Sequence, residues 1–265
     1  MKISGSTHGT DGAAVPRIIH QTWSSASVPG AWQGFQRSWQ AQHGDWQYCL
    51  WTDADLDALI EDREPQLVAE YRALPRMIQR VDVAKAAILK HVGGVYADLD
   101  TECHRPVGPL LDVGGVVLSR TRDGVIDGAF MASCPGHAFW DDVIAVMRRP
   151  PWYARALRHV PGLQASYVLF STGPFALRRA ARRFARRGHR QRMTILDPIY
   201  CSNRSWWRRH DDSPIAKQTF VRHHYGDSWL TPAELAVVSV CRPVGVLSLA
   251  GMLTFAVVFW LLRGG

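Results

Sequence analysis

The chain has 265 residues, 47% of them hydrophobic and 20% charged, a length adequate for one domain plus a tail. Thirty-one basic residues against 23 acidic ones leave a net charge of +8, which keeps anionic partners open, a membrane surface or a nucleic acid among them. Five scattered cysteines, Cys49, Cys103, Cys134, Cys201 and Cys241, are odd in number and lack C-x-x-C spacing, which excludes a disulfide framework and a zinc site.

In chain order, Met1 to Ala14 is polar and glycine-rich with no apolar core, so it reads as a flexible N-terminus without a secretory signal. The folded domain is therefore expected on the cytoplasmic side. Asp53, Asp55 and Asp57, with Glu64 at the twelfth position, imitate a calcium loop. Ala58 stands where that loop's tight turn requires glycine, so these acids are expected to cap and charge a helix behind Thr52. From Met77, apolar residues recur at spacings of three and four through Val81, Ala84, Ile88 and Val92, predicting a helix with one buried stripe. Asp82 and Lys85 lie off the stripe, three apart, and can share a cleft. Gly93 and Gly94 end the helix, and Val95, Tyr96 and Ala97 continue as a strand. Asp98 and Asp100 are then expected on one side of that strand, because side chains repeat every two residues. Two carboxylates at a strand end suit Mg²⁺ or Mn²⁺ bridging the phosphates of a nucleotide sugar. With 18 aspartates in the chain, roughly one D-x-D arises from composition alone. The order helix, double glycine, strand, acid pair is what separates this one from background.

Gly173-Pro174 opens a second helix, along which Arg178, Arg179, Arg182, Arg183, Arg186 and Arg187 fill one half and Leu177, Ala180, Ala181, Phe184 and Ala185 the other; Arg190 and Arg192 follow. Such a basic amphipathic helix suits an anionic membrane surface; a solvated face and a nucleic-acid role are the other readings. Trp206 and Trp207 beside Arg208, Arg209 and His210 form an interfacial patch or buried aromatics. Thr231-Pro232-Ala233-Glu234 has the form of a capping box with proline at the first helical position, starting a short helix to about Cys241. Val244 to Leu262 is nineteen residues without a charge, which at about 1.5 Å per residue nearly crosses a roughly 30 Å hydrocarbon core. A single membrane span is expected there, closed by Arg263. No internal repeat, Walker loop or GxGxxG is present, so phosphate binding falls to a metal and basic side chains.

The run from Ile78 to Leu111 resembles the DXD sugar-transferase family that includes fungal inositolphosphoceramide mannosyltransferases and initiating mannosyltransferases of the Golgi. PRIIHQTW (Pro16 to Trp23) is similar to that family's first strand and YCLW (Tyr48 to Trp51) to its second. STGP (Ser171 to Pro174) and HHYGDSW (His223 to Trp229) are similar to later blocks, in the family's order. The resemblance implies an α/β, Rossmann-like GT-A domain over 15–231, with 232–265 as a C-terminal membrane anchor. It implies that Asp100, with Asp98, ligates Mn²⁺ or Mg²⁺, that Asp98 also contacts the sugar or ribose, and that Asp82 holds sugar hydroxyls. Ile19, Gln21, Trp23, Lys85 and Tyr96 are carried over to the donor site. His223 or His224, with Ser228 and Trp229, completes it, either imidazole adding a metal ligand. Asp127, in IDGAF, falls where relatives place a polar residue near the acceptor, and joins Asp98 and Asp100 as a catalytic candidate. At Lys85 most relatives carry arginine, whose planar fork binds oxygens differently from a point charge.

The implied function is retaining, metal-dependent transfer of a hexose at a membrane, mannose from GDP-mannose or a hexose from a UDP-sugar, to a lipid-linked or glycan acceptor, with no nucleic-acid partner. Fungal relatives work with a regulatory subunit, and no residue here points to one. Two rival classes are a D-x-D phosphatase, in which a threonine or valine falls two places after the second aspartate where this chain has Glu102, and a membrane-tethered headgroup-binding module with a degenerate site.

Overall fold

In the computed structural model, residues 13–160, 163–201, 216–226, 228–232, 234 and 235 are described. β1 (Ile18–Thr22), α1 (Gly30–Gln42), β2 (Gln47–Trp51) and α2 (Asp53–Arg63) form the opening β-α-β-α unit. A 3₁₀ turn at Pro65–Leu67 leads to α3 (Val68–Arg72) and α4 (Met77–His91), then β3 (Gly94–Ala97), β4 (Thr101–Cys103) and α5 (Gly108–Leu111). β5 (Val116–Arg120) and β6 (Ile126–Ser133) precede four helices: α6 (Phe139–Arg148), α7 (Trp152–Leu157), α8 (Gln164–Ser171) and α9 (Pro174–Arg186). β7 (Met193–Ile195) and β8 (Val221–His223) complete the strands among the described residues.

Six of these strands make one sheet in the order β2-β1-β3-β6-β5-β7, with β6 antiparallel to both its neighbours and the other pairings parallel. β3 (GVYA), the start of β5 (VVL) and the second half of β6 (AFMA) are continuous apolar runs because both sheet faces are covered. Tyr96, Val116, Leu118 and Met131 pack on one face with Val83, Ala87, Phe139, Trp140, Leu177 and Phe184 of α4, α6 and α9. Val95, Ala97, Val117, Phe130 and Ala132 alternate to the other face, against Trp39 of α1 and Leu110 and Leu111 of α5. β4 and β8 form a separate two-stranded ribbon.

The helix at Asp53 starts with a complete capping box: Thr52 Oγ1 accepts from the Asp55 N–H, and Asp55 accepts from the Thr52 N–H at 2.9 Å. α4 departs from the single stripe expected of it. Its second half, Val83 to Leu89, is buried all round, because α2, α6, α8 and the sheet surround it, while Met77 and Val81 sit half-buried at the rim of a cleft. Gly93 (φ +71°) and Gly94 (φ +93°) follow, and a Cβ on Gly94 would stand 2.7 Å from the Ile18 carbonyl oxygen, so only glycine lets β3 lie against β1 at that point.

Among the described residues no helix is long and apolar enough to cross a membrane. The span expected at 244–262, the Trp206–Trp207 pair, Cys241 and the end of the short helix before it lie outside the described residues. Its start is present: Thr231 and Glu234 exchange reciprocal hydrogen bonds as the capping-box pattern predicts. Cys49, Cys103, Cys134 and Cys201 are free thiols, all buried.

Candidate active site

β3 ends at Ala97, and the acid pair sits on a turn closed by the Thr101 N–H donating to the Asp98 carbonyl at 3.0 Å. This corrects the expectation of strand alternation: Asp98 and Asp100 converge because the turn, with Leu99 buried between them, aims both carboxylates into one cleft. Two neighbours fix the turn. The Asp98 N–H donates to the Ala129 carbonyl at 2.9 Å, and the indole of Trp39 donates to the Thr101 carbonyl at 3.0 Å.

Asp127 arrives through an irregularity in β6. The β5–β6 register slips between Leu118, opposite Met131, and Ser119, opposite Asp127, so Gly128, Ala129 and Phe130 bulge out and Asp127 turns into the cleft. His223 is delivered by register alone, since β8 pairs antiparallel with β4 and sets His223 opposite Thr101, the residue after Asp100. Its Nε2 lies 3.2 Å from Asp100 Oδ2 and its Nδ1 3.0 Å from Asp127 Oδ2. Tyr225 is the one described non-glycine residue with positive φ (54°); that left-handed turn brings the Gly226 N–H to Asp100 Oδ2 at 2.6 Å.

From α4, Lys85 Nζ reaches Asp98 Oδ1 at 2.9 Å and Asp82 Oδ1 at 3.6 Å, and lies 4.8 Å from the centre of the Tyr96 ring. Tyr96 donates its hydroxyl to Asp98 Oδ1 at 2.9 Å and in turn accepts from Thr22 Oγ1 at 2.8 Å. Thr172, inside the STGP block, donates to Asp82 Oδ2 at 2.9 Å. Burial alone would push the Lys85 ammonium down, but Asp98, Tyr96 and Asp82 outweigh it and hold it well above the ordinary lysine range. Burial raises the Asp82 carboxyl, opposed by Lys85 and Thr172. His223 is held well above the ordinary imidazole range, because Asp100 and Asp127 on its two nitrogens overcome the cost of burial. Burial works against ionisation of both carboxylates too, yet His223 keeps Asp100 and Asp127 low, helped by the N–H groups of Gly226 and Ala129 respectively.

Asp82, Lys85, Asp98, Asp100, Asp127 and His223 face a cleft of about 440 Å³, a volume in the range of small-molecule sites. Of the residues singled out in the sequence, Trp23, Asp82, Lys85, Asp98, Asp100, Asp127, His223, Ser228 and Trp229 line it. Three expected at the donor do not. Ile19 is in the core beneath the sheet; Gln21 backs the turn, donating to the Asp98 carbonyl at 3.3 Å while accepting from the Tyr48 hydroxyl; and Tyr96 lies under Asp98 and Lys85. Asp98, Asp100 and His223 each offer a ligand atom within 4.8 Å of the others. His224 is not brought to that group: one residue past the end of β8, its ring stacks on Phe35 at 4.2 Å and places Nε2 3.0 Å from Glu102 Oε2.

The cleft also holds residues that motif reading passed over: Asp53, Trp32 and Arg76. Arg76 grips Glu234 with both terminal nitrogens (2.6 and 3.1 Å) and donates to the Trp229 carbonyl at 2.6 Å, tying the last wall of the cleft to the start of α4. Asp53 comes two residues after the YCLW block, behind Thr52, so the ordered blocks were its signal; Arg76 had none, because its partners lie more than 150 residues away.

Residues 29–115 match the family described as glycosyltransferase sugar-binding region containing DXD motif. This stretch belongs to that family. The DXD region contains α4, β3 and the turn with Asp98 and Asp100, so the family assignment and the geometry fall on the same residues. The chain is 37% identical over 170 residues to inositol phosphoceramide mannosyltransferase 3 of Schizosaccharomyces pombe, covering 64% of this chain and 46% of that protein. It is 28% identical over 253 residues to inositol phosphoceramide mannosyltransferase 1 of the same yeast, covering 94% and 73%. The chain thus spans under half the length of the first of these relatives. Among solved structures, PaToxG glycosyltransferase is similar with a TM-score of 0.48 at 14% identity, over 66% of this chain and 71% of that one.

Proposed function

We propose that the chain is a metal-dependent glycosyltransferase of GT-A type that moves a hexose, mannose from GDP-mannose in the first instance, onto a lipid-linked or glycan hydroxyl with retention of configuration. The observation that carries this reading is the convergence of Asp98 and Asp100 of the DXD region with His223, beside Lys85 and Asp82, at the carboxyl edge of a doubly covered sheet. The mannosyltransferase names of the yeast relatives support the sugar and a lipid acceptor. Residues 15–231 form the catalytic domain in this reading, and the uncharged run 244–262 anchors it.

The donor set fits a divalent cation. Two carboxylates favour a hard ion, and the imidazole tilts the choice from Mg²⁺ toward Mn²⁺. When bound, the cation would neutralise the diphosphate on which negative charge develops as the glycosidic bond breaks. Asp98, Asp100 and His223 would hold it. Asp127 fixes the His223 ring by engaging Nδ1, leaving Nε2 directed at the site. Lys85 holds Asp98 and Asp82 in place and brings a fixed positive charge to the donor. Asp82, braced by Lys85 and Thr172, is placed to accept from sugar hydroxyls. Trp229, held by Arg76, closes the wall opposite α4.

The test is release of nucleoside diphosphate from GDP-mannose and from UDP-hexoses by the full chain with Mn²⁺, with transfer to an inositol-phosphate lipid as acceptor. GDP release and mannose transfer are expected, falling at least about a hundredfold in Asp100→Ala without loss of the folded state. Undiminished transfer by Asp100→Ala would remove the metal reading, and a UDP-sugar as the better donor would reassign the substrate.

A further inference from the structure

The excess of positive charge comes from one part of the chain. Between Asp142 and Asp197 there are 54 residues with twelve arginines and no acidic residue; everything else holds 19 basic against 23 acidic residues and is net negative by four. This segment, Val143 to Leu196, includes α7, α8 and α9, which pack on one another in sequence.

α9 divides its arginines between two stripes. Its apolar side, Leu177, Ala180, Ala181 and Phe184, is buried in the core. Arg179, Arg183 and Arg187 form one stripe with internal duties: Arg183 Nε and Arg187 Nη1 donate to the buried Asp142 Oδ1 at 2.6 and 3.0 Å, and Arg179 donates to the Phe175 carbonyl. The neighbouring stripe, Arg178, Arg182 and Arg186, is exposed and has no acidic partner among the described residues. The same holds for Arg155 and Arg158 at the end of α7. At the start of α7, after Pro150 and Pro151, Trp152 is 71% exposed, the most exposed large hydrophobic side chain described. Its indole meets the Tyr153 ring edge-on at 5.9 Å, and Tyr153 also contacts Arg179, so the indole and the α9 arginines belong to one surface.

We propose that this surface, Trp152 with Arg155, Arg158, Arg178, Arg182 and Arg186, docks on an anionic lipid bilayer. Arginines without carboxylate partners suit lipid phosphates, and a free indole among them suits the depth of the headgroups. The uncharged run from Val244 to Leu262 in the same chain favours a bilayer over a nucleic acid as the anion. The surface shares α9 with the cleft, which Pro174 lines, and α8, packed between α7 and α9, lines the cleft with Val168 and Leu169. Docking would therefore set that rim of the cleft at the headgroups, within reach of an acceptor that never leaves the membrane. The inference does not depend on the sugar-transfer reading, because lipid attachment has its own readout.

The test is hydrogen exchange of the full chain in nanodiscs of pure phosphatidylcholine and of phosphatidylcholine with phosphatidylserine. Each basic residue at an anionic surface strengthens attachment roughly fivefold. Amides of Trp152–Leu157 and Pro174–Arg186 are expected to exchange at least about threefold more slowly on the anionic discs, with the difference erased by about 0.5 M salt. Arg155→Gln, Arg178→Gln, Arg182→Gln and Arg186→Gln together should remove the difference while leaving the melting temperature and GDP binding unchanged. Equal exchange on the two discs, or protection that survives the four substitutions, would overturn the proposal. So would protection given by an oligonucleotide and by neither disc, which would assign the surface to nucleic acid.

Discussion

At the scale of single residues, His223 is the hinge of the site, because its two ring nitrogens face Asp100 and Asp127. Partners of this kind orient a histidine ligand, and their loss typically costs 10–100-fold in metal affinity. Asp127→Asn is expected to weaken Mn²⁺ binding by about that factor, read by electron paramagnetic resonance of free Mn²⁺; unchanged affinity would return Asp127 to the acceptor side alone. A second histidine sets a pH dependence. His20 is buried in β1, its Nδ1 accepting from the Trp51 indole at 3.1 Å and its Nε2 donating to the Gly93 carbonyl at 2.8 Å. Burial pushes its imidazole down from 6.5 to about 4, outweighing that carbonyl. Between those values the unfolded chain takes up a proton that the folded chain refuses, so stability from this residue is complete above pH 6.5 and lost as pH falls toward 4. The loss is about 3 kcal/mol. Urea midpoints across that window should fall with acid in the natural protein and fall distinctly less in His20→Gln. Asp98, Asp100 and Asp82 were legible in the sequence because a local pattern carries them. The choice between His223 and His224 was not, since it depends on which residue of β8 falls opposite Thr101, a register fixed across about 120 residues of chain.

At the scale of elements, the passage from α4 to β3 was legible and its end was not. The double glycine has the role its sequence suggests, and Gly94→Ala is expected to cost about 3 kcal/mol, because the added carbon would strike the Ile18 backbone. Differential scanning calorimetry would measure it. The acid pair was expected on a strand and lies on a turn, because β3 stops at Ala97 once its neighbour β6 bulges at Gly128 to Phe130 and offers the Ala129 carbonyl to Asp98. No periodicity announces such a bulge. α9 was legible as a basic amphipathic helix from Gly173-Pro174, but its arginines read as one charged half, and only packing against α6 shows one stripe committed to the buried Asp142. Asp142→Ala should destabilise the fold by about 1.5–2 kcal/mol, the worth of its charge-assisted hydrogen bonds, since the two guanidinium groups it leaves are half-exposed. Equal stability would mean that those arginines are solvated in the folded state.

For the whole molecule, the sheet, the cleft and the arginine segment stand in a definite relation. The doubly covered sheet presents the ends of β1 and β3 to the cleft, α4 supplies Asp82 and Lys85, and the segment from His223 to Trp229 returns from the far end of the chain to close the site. Arg76, through Glu234 and Trp229, ties that return to α4. In the proposed function this assembly is a divalent-cation and nucleoside-diphosphate site. Its most direct measurement is thermal stabilisation of the full chain in detergent by GDP, with and without Mn²⁺, alongside Asp100→Ala. A ligand at a hundred times its dissociation constant stabilises by about 2.7 kcal/mol, or roughly 5–10 °C for a domain of this size. A shift of that order is expected for the natural protein only when GDP and Mn²⁺ are both present, and none for Asp100→Ala. No shift, or the same shift without Mn²⁺ and in the variant, would contradict it.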